Sequence, residues 1–321
     1  MADESSADID LDLLRSSARK FLAERGEKDS IKDLAAMDWI GLLVDESLDG
    51  AGWRPVEACV VAEELGRAQD RSAWFGTTMA AAALASAPGE VGQRLLPALL
   101  AGTATAGFAV ADDGIRVVRD DIDTVIVVGR NGIQLLSDLD PARFNSDTDL
   151  LDVTRTVWRV DLTDAPCVLI GSPDRADGLL AVARLLVAAD SVGAMSMTLE
   201  RLTAYLRERV AFGVPIASFQ AIQHRLVELL VFEVKARAMI MKAARAIAGA
   251  DEGATALTAA AHAFVAAKAT AAVDECMQLS GGIGFTWEYP LHYELRRVFT
   301  NAHLVGTARS SRSLLAQVSG W

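Results

Sequence analysis

Aromatic side chains make up only 6% of the 321 residues, too few for the core of a typical β-sandwich. Alanine is abundant instead, and it is both the best helix former and the side chain that lets helices pack closely. The three cysteines, Cys59, Cys167 and Cys276, lie far apart, without CxxC spacing and in odd number. That excludes a disulfide framework and a thiolate zinc site, and leaves buried free thiols of a reducing cytosol. His262 has no second ligand one helical turn on, so no metal site is expected. Runs of Lys and Arg are missing and the net charge is −12, which excludes nucleic acid as a partner. There is no stretch of about 18 uninterrupted apolar residues, and the opening MADESSADID lacks the regions of an export signal. The expectation is a cytoplasmic protein with no membrane contact. What is present, 51% hydrophobic and 23% charged residues, is enough for two or three domains.

The periodicity changes twice along the chain. Up to about residue 105 it is helical: Leu11, Leu14 and Phe21 share a face, and Pro55 suits the first turn of a helix through PVEACVVAEELGRAQ after a loop at Leu48 to Trp53. Residues 106–175 read as a small β region. There Thr124 to Val128 and Ile133 to Leu136 flank Asn131-Gly132 as a hairpin, and TRTVWRVDL alternates as a strand. Residues 176–321 return to helix. Met195, Leu199, Leu202 and Leu206 are spaced by four, three and four, and long helices are expected from about Phe219 to Ala248 and Ala254 to Leu279. The fold class is mainly α with a small β insert, ending in a four-helix bundle.

Two C-terminal stretches carry the chemistry. In RVAFGVPIASFQ, Arg209 offers a guanidinium fork suited to a phosphate dianion. In QLSGGIGFTWEYP, three glycines follow a helix, where bare amides can meet a phosphate or merely stop the helix. Together with the domain order, and with WIGLLVDESLDGAGWRPVEACVVAEELGRA, these stretches resemble the flavin-dependent acyl-CoA dehydrogenases over nearly the whole chain. The resemblance implies an N-terminal helical domain, a reduced β-barrel middle domain and a C-terminal bundle. It also implies an FAD held between two subunits. Arg209, Phe212, Phe219, Gln220, Gln278, Gly281 and Gly282 match the residues that hold the nucleotide end of a neighbour's FAD.

The other half of the family's site is altered. The segment that meets the flavin ring corresponds here to Ala111-Asp112-Asp113-Gly114, without the usual hydroxyls; Asp112 and Asp113 read as a polar turn. The family's catalytic glutamate is matched by Val305 in HLVGTARSS. The resemblance therefore implies no catalytic residue in this chain. It implies a homologous catalytic partner in an α2β2 complex, as in actinobacterial steroid-CoA dehydrogenases, with an electron-transfer flavoprotein as acceptor and the acyl-CoA bound mainly by the partner. A self-sufficient homo-oligomer using an unusual base such as Glu252, or a cofactor-free scaffold, stays open. His224 is expected to be packed or hydrogen-bonded, and Glu288 to form a structural ion pair.

Overall fold

Asp10 begins the first helix by accepting hydrogen bonds from the amides of Asp12 and Leu13, a side-chain cap for donors that lack an intrahelical partner. From there the structure, a computed structural model, describes residues 10–26, 30–87, 90–111, 116–118, 122–136, 144–146, 152, 154, 157–160 and 166–321. The N-terminal part holds α1 (Leu11–Arg25), α2 (Ile31–Ala35), β1 (Leu43–Val44), β2 (Gly52–Trp53), α3 (Pro55–Arg67), α4 (Trp74–Ala85) and α5 (Glu90–Leu100). Pro55 opens α3 as its fixed φ favours. The expected plain loop before it instead folds back so that Leu43 pairs with Trp53 and Val44 with Gly52. Edge contact of Phe21 with Trp39, and a bond from Trp74 Nε1 to the Trp39 carbonyl at 3.0 Å, lock α1 and α4 to that turn.

The middle part contributes β3 (Ala106–Val110), β4 (Arg116–Val118), β5 (Thr124–Gly129), β6 (Gly132–Leu136), β7 (Phe144–Ser146), β8 (Val157–Val160) and β9 (Cys167–Gly171). They form a sheet in the order β3-β5-β6-β9 and a smaller one in the order β4-β8-β7. The expected hairpin is present, but its two-residue turn is Arg130-Asn131, one position earlier than the Asn131-Gly132 signal. Gly132 is needed for another reason: at φ 110° it lies so close to β9 that any Cβ would run into the Gly171 carbonyl. Asp112, Asp113 and Gly114 lie outside the described residues.

The C-terminal part is α6 (Pro173–Glu208), β10 (Val210–Ala211), β11 (Val214–Pro215), α7 (Gln220–Ala248), α8 (Ala254–Ser280), α9 (Leu291–Leu304) and α10 (Ala308–Val318). With 36 residues α6 spans roughly 54 Å, a third long helix beyond the two expected. It is apolar nearly all round because α3, α7, α8 and α9 pack against it. By length and composition α6 and α8 are apolar enough to cross a membrane, but 78% of the α6 window is buried inside the protein, as befits a core helix.

The crossing of α3 and α6 is closer than side chains would allow. A methyl on Gly66 would overlap the Asp190 carbonyl, and one on Gly193 the Glu63 carbonyl. Around this contact lie ion pairs of Glu63 with Arg15 (2.7 Å) and Arg237 (2.8 Å) and of Asp190 with Arg297 (2.8 Å), and the Asn301 amide donates a hydrogen bond to Asp190 (2.6 Å). Arg297 also donates to the Asp70 carbonyl, so one guanidinium ties the N-terminal helices to α6 and α9. Gly193→Ala is expected to cost about 1–3 kcal/mol, as overpacking of a tight contact does. Urea unfolding checks it: the midpoint should fall with an unchanged slope, and an unchanged midpoint would show that the crossing relaxes.

Candidate functional site

Helix α6 runs one way, α7 returns over 29 residues and α8 runs back over 27. Each of the two spans roughly 40 Å, so the end of α8 returns to the end of the bundle where α6 stops and α7 starts. The two motifs separated by about 60 residues in sequence are thereby brought to one end of the fold. At α6 the chain leaves the helix at Arg209, which is exposed, and turns through β10 and β11. Phe212 and Gly213 occupy the turn at φ 54° and 82°, the doubly positive geometry of a tight two-residue hairpin loop.

Glycine or asparagine would adopt that geometry cheaply, whereas phenylalanine is strained there. The ring is nevertheless 96% exposed, with only an edge contact to Phe219 at 6.3 Å. Burial within this chain therefore does not explain it. Phe219 forms the entry to α7 and Gln220 is its first residue. Both are exposed, together with Val210, Val214, Ile283, Phe285 and Trp287 at this end, an apolar surface of the kind that marks an interaction site.

The glycines after α8 divide by role. Gly281, at φ 68°, caps the helix through its amide to the Gln278 carbonyl. Gly284 has no room for a Cβ, which would meet the Met277 carbonyl. Gly282 has ordinary φ and open space where a Cβ would stand, so the fold of the chain does not require it. A glycine there leaves its amide approachable by another molecule. Gln278 is exposed beside it.

At the position that the resemblance matches to the family's glutamate, the structure is apolar and closed. Helix α9 ends at Leu304, Val305 is 1% exposed, Gly306 turns at φ 105°, and Thr307 starts α10 in a reciprocal cap with Ser310. Buried carboxylates elsewhere are engaged: Glu64 binds Arg19, Glu233 binds Arg237, and Glu294 binds Arg201. Burial pushes the Glu294 carboxyl above its ordinary range despite that arginine. Glu252 is exposed in the turn between α7 and α8, while Asp251 lines a cavity. Among the described residues no group of three or more His, Cys, Asp or Glu is placed to hold a metal.

Three expectations are corrected. His224 is exposed on the outer face of α7, not packed. Glu288 is exposed and held below the usual carboxylate range by hydrogen bonds from its own backbone and from Thr286, not by a cation. Cys59 and Cys276 are buried, but Cys167 is only half-buried, because it lies on β9, outermost in the order of its sheet.

The cavity, of about 340 Å³, lies between α4, α6 and the start of α8, with Trp53 at its rim and Ala82, Leu179, Ile247 and Ala254 among its walls. Outside its lining, Arg184 and Thr258 stand one turn further along α6 and α8, and His262 a second turn along α8. The His262 imidazole is buried and shares a 2.8 Å hydrogen bond through Nδ1 with buried Ser311. Its Nε2, Thr258 Oγ1 and Arg184 Nε are buried without a hydrogen-bond partner. Arg184, in the middle of the apolar run LLAVARLLVAAD, was not singled out from sequence; its charge among leucines and alanines was the available signal.

This three-part arrangement of helical domain, small sheets and long-helix bundle also occurs in solved structures that share 18 to 23% of the sequence, which shows a common fold. A variant of the Tcur3481-Tcur3483 steroid ACAD superposes with a TM-score of 0.82 over 97% of both chains at 23% identity. The ChsE4-ChsE5 complex from Mycobacterium tuberculosis does so at 0.81, covering 100% of this chain and 98% of that one at 18% identity. Residues 10–103 match the acyl-CoA dehydrogenase N-terminal domain and residues 174–319 the acyl-CoA dehydrogenase C-terminal domain. Acyl-CoA dehydrogenase IpdE2 of Mycobacterium tuberculosis is 35% identical over 271 residues, 84% of this chain and 79% of that protein. The chain belongs to the acyl-CoA dehydrogenase family.

The buried imidazole makes stability depend on pH. Burial, and then the Arg184 charge, lower His262 from 6.5 to about 4. As pH falls through that window the unfolded chain takes up a proton that the folded chain refuses, so stability is lost. The contribution is on the order of 3 kcal/mol. Urea unfolding at pH 7 and pH 4.5 should show a smaller acid-induced loss in His262→Gln than in the parent chain; equal losses would place the titration elsewhere.

Proposed function

We propose that this chain is the non-catalytic subunit of a heteromeric acyl-CoA dehydrogenase, α2β2 in composition, which desaturates an acyl-CoA thioester of steroid origin between its α and β carbons. The observation that carries this reading is the pairing of a buried Val305, where the family resemblance places a glutamate, with the exposed Arg209, Phe212 and Gly282 at one end of the bundle. Removing the weakly acidic α-proton takes a carboxylate in contact with it in a dry pocket, and Val305 has no proton acceptor. The homologous partner supplies that carboxylate and binds most of the substrate. FAD, bound by a solved neighbour of this fold as FADH2, accepts the β-hydrogen as hydride when in place, and an electron-transfer flavoprotein takes the electrons onward.

In this reading Arg209 pairs with the FAD pyrophosphate, and the Gly281 and Gly282 amides approach the same end. Phe212, Phe219, Gln220 and Gln278 border the nucleotide. The strain at Phe212 and the dispensability of a glycine at 282 support such a use, since both are unrewarded within this chain. Along the outer face of α7, Val227, Leu230, Val231 and Val234 are exposed at spacings of three, one and three. That apolar stripe is suited to a helix of a partner subunit. Names among the relatives agree in kind: ChsE4-ChsE5 is a complex of two different chains, and the Tcur3481-Tcur3483 protein is a steroid ACAD.

Two substitutions test the lent half-site in the co-purified complex. Arg209→Ala should weaken FAD binding at least tenfold, as loss of charge-assisted hydrogen bonds does. Gly282→Val should weaken it similarly while leaving the unfolding midpoint of the chain unchanged, since its Cβ position is open. Undiminished FAD retention in both variants would refute the assignment.

A further inference from the structure

The turn between α8 and α9 carries an indole that the fold fixes without burying. Trp287 is 68% exposed, yet the backbone on both sides of it is closed. Thr286 donates to the Ile283 carbonyl through its amide (3.1 Å) and its hydroxyl (3.0 Å), and the Tyr289 amide returns to the Thr286 carbonyl at 3.4 Å. Two side chains of α9 then brace the ring. The Arg296 guanidinium lies over it, 5.1 Å from the centroid, and the His292 imidazole stands 4.6 Å away with the planes 76° apart. His292 is itself held, donating through Nδ1 to the Tyr289 carbonyl at 3.1 Å. An aromatic plate ordered in advance loses little entropy when another ring settles on it.

Tyr289 places this plate in the fold. Its hydroxyl bonds to the Arg201 carbonyl at 3.4 Å and to Ser280, the residue before Gly281, and its ring lies 5.9 Å from Tyr205. It therefore stands where the end of α8 meets the end of α6. Two residues of chain reach at most about 7 Å, which keeps Trp287 close to that junction. Arg209 is bonded through its amide to the Tyr205 carbonyl at 2.9 Å, one helical turn on. Trp287 thus shares the end of the bundle with Arg209 and Gly282. Phe212, also at this end, is almost fully exposed with an edge contact to Phe219, and is the looser plate.

We propose that Trp287 is the platform on which the adenine of the dinucleotide stacks, with Arg296 on the opposite face of the indole. The inference rests on the reading that Arg209 and the Gly282 amide meet an FAD pyrophosphate. Once the pyrophosphate is held there, stacking of the base is an intramolecular step and is favoured by its high effective concentration. A purine offers a broad π-face to an indole, and the guanidinium behind the ring adds a cation–π contact that keeps the plate in place. The site would in this way prefer a flavin that carries adenine over one that ends at its first phosphate.

The co-purified complex, stripped of flavin and titrated with FAD and with FMN, tests this, because FMN carries the same flavin without the adenosine half. Trp287→Leu should weaken FAD at least fivefold, a factor equal to about 1 kcal/mol, and leave FMN within about twofold. Trp287→Phe, which keeps a ring, should retain most of the FAD affinity. Equal weakening of FAD and FMN, or easier separation of the two subunits on dilution of Trp287→Leu, would make the indole a packing contact with the partner and overturn the proposal. Arg209→Ala separates this inference from the reading beneath it. FAD weakened in Arg209→Ala but unchanged in Trp287→Leu would refute the platform alone, whereas FAD unchanged in both would refute the half-site and the platform with it.

Discussion

The contact between α3 and α6, backbone against backbone at Gly66 and Gly193, is the constraint on which the remaining architecture hangs. It pins the longest helix of the protein to the N-terminal helices at one point, and the Asp190–Arg297 pair beside it adds α9 to the same knot. With α6 fixed, the lengths of α7 and α8 are no longer free. One must return and the other must come back before the two glycine-bearing motifs can meet at one end of the bundle. The site is thus a product of helix length more than of any single side chain.

At that end the chain displays features that bring it no stability of its own. Phe212 is held in a strained conformation and left in solvent, and Gly282 is a glycine where the backbone asks for none. Strain that persists without internal reward points to a role in binding. Val305 shows the reverse: it is buried, apolar and followed by a well-capped turn, a place where a carboxylate would have to be desolvated. In the proposed reading, one end of the site is kept and the other closed.

Most of the helical frame was legible in the sequence, because the three-four spacing of Met195, Leu199, Leu202 and Leu206 reports a buried face directly, and Pro55 and the Asp251-Glu252-Gly253 break mark helix limits by local chemistry. The residues proposed for the nucleotide side were singled out through a motif, and the helix lengths bring them to one end of the bundle. What escaped depends on tertiary distance. The pairing of Leu43 with Trp53 spans too few residues to show a period. The exposure of His224 follows from which face of α7 meets α6, and the nearness of Arg184 to His262 follows from the packing of α6 on α8. Gly193 gave no signal in an alanine-rich run, since its reason is a carbonyl 130 residues away in sequence.

If the central account is right, ownership of the flavin is divided between chains, and that division can be weighed directly. The measurement is the flavin content and dehydrogenation turnover of the purified chain alone, set against the chain co-expressed with its homologous dehydrogenase partner. The account predicts a colourless and inactive chain alone, and one FAD per heterodimer with turnover in the complex. A yellow preparation of this chain by itself that oxidises an acyl-CoA would contradict it.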